Sequence, residues 1–260
     1  MFSQRTLSSP VQRLHCEITP DVLVLDVERD FETLPPAVAE ELGLLVDALD
    51  PASYPESWLP ENAPAQLTAY AGSQFTIGLP GDGTVVRTHQ TEPATVLVKA
   101  RAETTPEPFR SFLLAEALVE IDESLPESFL PFFGEQYAAL DDALGLGGPA
   151  TYQVARALFD AWVGLHTRER FRAWAGEHEE LHAAWEDAGD RLVGRVDGLP
   201  GEVARGETEF PAATELACSA VKHGLDIPAP FAALDTLAYR DHGSAYAVQW
   251  AEKTMAALAE

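Results

Sequence analysis

Pro106 separates two kinds of hydrophobic pattern, and that change of period constrains the fold more than any other feature of the chain. Before it, Phe75, Ile77 and Leu79 alternate with polar residues, and Val85-Val-Arg-Thr-His89 and Thr95-Val-Leu-Val-Lys-Ala-Arg101 follow. Successive side chains of a strand point to opposite faces, so a period of two marks strands. Pro80-Gly-Asp-Gly83 supplies the positive φ that a hairpin turn requires, and Thr91-Glu-Pro-Ala94 turns the chain again. The spacing predicts a three-stranded antiparallel meander. After Pro106 the apolar residues recur at helical spacing instead. Helices are predicted over 109–121, up to a stop at Gly145, and over 150–174, 178–196, 210–223, 231–240 and 244–258. Ser124-Leu-Pro-Glu127 reads as a capping box, and Lys222 and His223 before Gly224 suit a helix C-terminus.

The region before the meander is less regular. Thr19-Pro20-Asp21 resembles a helix start, with Val24, Val27, Phe31 and Leu34 at helical spacing, although the run from Val22 to Leu25 is β-prone. A second helix is predicted from Ala37 to Leu49, ended by Asp50-Pro51. A proline-rich loop anchored by Tyr54 and Trp58 follows, then a short helix over 65–71. Three strands alone are not a stable unit, so they must pack on helices. The expectation is an α+β fold, predominantly α-helical. Its small three-stranded antiparallel meander packs on helices, and its C-terminal half is helical. Residues 1–104 (N-terminal helices plus meander) and 105–260 (the helical region) form one compact unit.

Composition narrows the function classes. Forty-two Asp and Glu oppose seventeen Lys and Arg, a formal net charge of −25, and the lysines are Lys99, Lys222 and Lys253 alone. Disorder would need low hydrophobicity as well, and 46% of the residues are apolar. The acids are dispersed rather than gathered in a tail, so they read as solvation of a whole surface. Molar salt shortens the Debye length to ~3 Å and makes such a coat tolerable. A chain so poor in cations is not built to bind nucleic acid. No segment approaches the ~20 apolar residues of a membrane span, and no leader pattern is evident at residues 1–20. Cys16 and Cys218 form neither a disulfide framework nor a metal knuckle. These features predict a salt-adapted cytoplasmic protein with no membrane and no nucleic-acid partner.

Two constellations could carry chemistry. Arg87, His89, Lys99 and Arg101 fall on neighbouring predicted strands. If Val86 opposes Ala100 across a three-residue loop, all four share one face. Such a strip could bind a small anion or an acidic partner segment; the competing reading is neutralisation by the chain's own carboxylates. The second constellation is His178-Glu-Glu-Leu-His182, which matches H-E-x-x-H. Two His four apart on a helix can hold zinc while the adjacent Glu179 activates water. Glu202, twenty residues past His182, is the candidate third ligand, a spacing similar to that of thermolysin-like metallopeptidases. Against this, Glu177 and Glu180 make the stretch read as a solvated helix, and Pro200-Gly201 interrupts the expected supporting helix.

Weaker patterns have simpler explanations. Gly145-Leu-Gly-Gly-Pro-Ala150 resembles a dinucleotide fingerprint but follows a helix instead of a strand, so it reads as a helix–helix turn. Arg172 and His178 faintly resemble the pair of helical HEPN ribonucleases. His166, four residues past Trp162, reads as a core histidine, and His242 has no evident partner.

The stretches Leu23–Pro36, Ala213–His223 and Ala232–Gly243 resemble an uncharacterised haloarchaeal protein family, a domain of unknown function. The resemblance spans nearly the whole chain. It implies a salt-adapted cytoplasmic setting and brings no catalytic residue with it. The reading favoured by the sequence is a binding protein for a partner protein or small anion without a cofactor. The alternative is a zinc-dependent hydrolase.

Overall fold

A computed structural model describes residues 1–71 and 76–258, and the side chains of all of these but Tyr70 and Ala71. In chain order the elements are β1 (Phe2–Gln4), α1 (Ser9–Ile18), β2 (Leu23–Val27), α2 (Pro36–Leu42), β3 (Ala48–Leu49), α3 (Ala65–Ala71), β4 (Val85–Thr88), β5 (Thr91–Glu92) and β6 (Thr95–Val98). They continue as α4 (Glu107–Asp122), α5 (Phe129–Phe133), α6 (Gln136–Leu144), α7 (Gly148–Ala173), α8 (Glu179–Asp190), α9 (Leu199–Ala204), α10 (Phe210–His223) and α11 (Leu237–Leu258). The fold is α+β and mostly helical, as the change of period implies. Among the described residues no helix is long and apolar enough to cross a membrane.

The chain divides into two compact units that interleave in sequence. Unit 1 holds residues 1–55, 66–127 and 171–185; unit 2 holds 56–65, 128–170 and 186–260.

Unit 1 is built on a four-stranded sheet of order β1-β2-β6-β4, mixed in direction because β2 and β6 run parallel. The expected meander is therefore corrected on two counts. The segment read as a helix from Thr19 contains β2, a central strand. Its apolar run LVLDV is buried on both sides, with Val24 in one core layer and Leu25 and Val27 in the other. A strand covered on both faces loses its alternation, and periodicity cannot then separate it from a helix. Between β4 and β6, β5 leaves the sheet to pair with β3. Of the predicted first strand, Phe75 lies outside the described residues. Ile77 and Leu79 are buried without strand structure.

The sheet separates two apolar layers. Val24, Val96 and Val98 pack with α1 and α4 residues such as Leu14, Phe112 and Leu118. Leu25, Val86 and Leu97 pack with Phe31, Leu34 and Leu42 on the other side. The predicted helix over 37–49 ends early, at Leu42.

Unit 2 is helical and rich in aromatic contacts. Phe132 packs on Phe159 and Trp162, and Phe210, Phe231 and Trp250 form a trio with centroids 6.0–6.3 Å apart. Gly145 (φ 61°) and Gly224 (φ 64°) end α6 and α10 in left-handed conformations that glycine adopts without steric cost. The expected capping box is different: Ser124 takes φ 53°, Ser128 is the N-cap of α5, and the carboxylate of Glu127 goes elsewhere.

Candidate functional site

The observed register decides the fate of the basic strip. Val86 opposes Leu97, and Arg87 opposes Val96. That is three positions from the register placing Val86 opposite Ala100, and an odd shift turns one strand's side chains to the other face. Arg87 thus shares the α4 side with Val96 and Val98. Lys99, whose amide bonds to Thr84, continues the face of Leu97. The one-face arrangement of Arg87, His89, Lys99 and Arg101 does not form.

Each cation has its own surroundings. Arg87 is buried, donating through Nε to Glu120 and through Nη1 and Nη2 to the carbonyls of Leu125 (3.0 Å) and Pro126 (2.6 Å). Glu127 accepts from Thr88 Oγ1 (2.9 Å), Gln90 Nε2 (2.9 Å) and the amide of His89. Desolvation of its ring, then the Arg87 charge, pushes the His89 imidazole below its ordinary value, so His89 is neutral at pH 7. Lys99 is 1% exposed. Its Nζ lies 4.8 Å from the centroid of the Phe31 ring and has no hydrogen-bond partner among the described residues. Burial drives its pKa down against the opposing field of Asp82. Arg101 donates to Glu32 (3.0 Å) and to the carbonyl of Asp82 (2.8 Å).

The histidine motif does not assemble a metal centre. His178 precedes α8, is 4% exposed, and turns Nε2 to Glu17 of α1 at 3.0 Å. His182 lies against Trp185, ring centroids 5.8 Å apart. Glu179 is solvent-exposed. Glu202 belongs to unit 2, where it accepts from Thr208 Oγ1 at 2.7 Å. Among the described residues no group of three or more His, Cys, Asp or Glu is placed to hold a metal ion. The described side chains do not fit zinc.

Of the remaining patterns, the one over Gly145–Ala150 spans the α6–α7 turn, Gly145–Gly147, and the first residues of α7. His166 packs against Trp162 with the rings tilted by 54° and their centroids 4.3 Å apart, Arg172 is exposed where His178 is buried, and His242 is exposed within α11.

What the sequence did not reveal is a groove in unit 1 of about 760 Å³. Its apolar walls come from Phe2 and Val27 at the ends of β1 and β2, from Phe31 and Leu34, and from Val38 of α2. Leu44 and Leu45, on the turn after α2, complete it and are 85% and 49% exposed. Glu28, Asp30 and Glu41 also line it, as do Arg29 and Met1, whose ammonium lies 3.6 Å from the carboxylates of both Glu28 and Glu41. The signal for it is Gly43, which ends α2 and leaves two adjacent leucines outside the helix.

The profile of DUF7089, a family of unknown function, matches residues 1–258. The chain belongs to that family. No curated protein and no solved structure matches it. Membership in DUF7089 thus brings no residue roles, and the chemistry rests on the groove and on the side chains around it.

Proposed function

We propose that this chain works by binding a partner protein, and that the unit 1 groove receives a basic amphipathic segment of that partner. The observation that carries this reading is an apolar cavity flanked by two leucines left in water and lined by three carboxylates, which outnumber Arg29 and the Met1 ammonium. Single exposed leucines are ordinary. A pair beside a cavity of this size is a surface prepared for cover, and fully burying a leucine contributes ~1.5–3 kcal/mol. An amphipathic helix laid in a groove fills such a site with apolar residues at helical spacing. Glu28, Asp30 and Glu41 exceed Arg29 and the exposed Met1 ammonium in charge, and this acidic surplus complements Lys or Arg on its polar face.

A small anion at the predicted strip has less support. Arg87 and Arg101 already hold Glu120 and Glu32, and His89 is neutral. We further infer a haloarchaeal, salt-adapted and cytoplasmic setting. It is supported by the −25 net charge, the three lysines and the sequence resemblance.

The test uses a fluorescent 18-residue peptide of Leu and Lys in amphipathic order, and a scrambled peptide of the same composition. In about 1 M KCl, where charge attraction is screened, the amphipathic peptide should bind at least ~10-fold more tightly. Equal affinities would overturn the reading.

A further inference from the structure

Unit 2 carries a second, smaller cavity of about 320 Å³ beside α11. Tyr246, Trp250, Lys253 and Ala257 line it from one helical face, at spacings of four, three and four residues. Pro230 and Ala233 form the opposite wall. The cavity's own donors are mostly committed: Trp250 Nε1 donates to the carbonyl of Pro230 (3.0 Å), and Tyr246 Oη to that of Ala233 (3.0 Å). The indole is buried and packs on Phe210 and Phe231.

Two polar groups at the cavity have no partner among the described residues: the ammonium of Lys253 and the amide of Gln249, one helical turn apart. Both are exposed to solvent at the cavity. Acids outnumber bases by more than two to one, yet Lys253, exposed on α11, pairs with none of the described ones. An ammonium and an amide lining one cavity with an indole suit a carboxylate whose tail is apolar. The volume is at the small end of ligand pockets, ~300–1,000 Å³.

We propose that this cavity binds a free small amphipathic carboxylate, its charged end held by Lys253 and Gln249 and its tail against Trp250 and Pro230. The site is separate from the groove of unit 1, so either reading can fail alone.

Calorimetric titration of the full chain with sodium octanoate tests it, with octanol and octylammonium as probes of the same tail. Octanoate should bind one to one, octanol at least ~10-fold more weakly, and octylammonium not measurably. Lys253→Gln should weaken octanoate by about tenfold and leave octanol unchanged. Lys253→Glu should reverse the preference in favour of octylammonium. The exposed position of Lys253 lets both variants fold. Octanoate binding unchanged in both variants, or no saturable binding at millimolar octanoate, would overturn the proposal.

Discussion

Arg87 and Lys99 make a natural comparison. Arg87 stands on β4 and Lys99 directly follows the adjacent strand β6; both are buried, and they face opposite layers. Arg87 meets the carboxylate of Glu120 and two loop carbonyls. Lys99 meets the face of Phe31 and no hydrogen-bond acceptor. A guanidinium presents a planar fork of five donors and can satisfy three acceptors at once, whereas a buried ammonium without acceptors is disfavoured in its charged form. The lesson is that the cations of this sheet serve its own structure, one by tying α4 and its following loop to β4, the other at a net electrostatic cost.

The sharpest way to break the comparison is to remove Arg87. Arg87→Met leaves the Glu120 carboxylate and two carbonyls without their donor, and urea unfolding should show a loss of ~3–5 kcal/mol. A loss below about 1 kcal/mol would mean the pairing is incidental.

Lys99→Met should act in the opposite direction, raising the urea midpoint at pH 7 by less than Arg87→Met lowers it. The sign follows from the lowered pKa of Lys99. Between its folded value and the ordinary lysine value of ~10.4, the unfolded chain binds the proton more tightly. Stability from this group therefore rises with pH through that window. The advantage of Lys99→Met over wild type should shrink as pH approaches ~10. An advantage independent of pH would assign it to packing alone.

The smallest effect belongs to Arg101. Its pair with Glu32 is substantially exposed, so Arg101→Gln should change stability by no more than ~1 kcal/mol. The Gly81 amide and then Arg101 hold the Glu32 carboxyl below its usual range. That contribution is present above the ordinary glutamate value and is lost as pH falls through the lowered one. Wild type and Arg101→Gln should therefore converge in acid, as thermal melts across the pH range would show.

Elements with local signals were legible in the sequence. Gly145 and Gly224 end helices where their backbone freedom predicts it, and α7 and α10 lie within two residues of their expected bounds. Elements fixed by long-range pairing were not. β2 lost its alternation by being central, and β5 left the sheet for β3, so no local rule could set the β4–β6 register. Because the register was out of reach, so was the separation of Arg87 from Lys99. The H-E-x-x-H spacing is present as read, but α1 supplies Glu17 to His178, a contact between residues far apart in the chain. The groove depends on where Leu44 and Leu45 stand once α2 has ended, which the helix predicted to Leu49 concealed.

The central claim is that recognition by this chain is apolar and lies in the unit 1 groove, while Arg87 and Arg101 already hold Glu120 and Glu32. The most direct measurement is the affinity of the amphipathic Leu/Lys peptide, by fluorescence anisotropy, for wild type, a Leu44→Ser/Leu45→Ser variant and Arg101→Gln. The account predicts at least ~10-fold weaker binding for the leucine variant and a change within about twofold for Arg101→Gln. Undiminished binding to the leucine variant would contradict it.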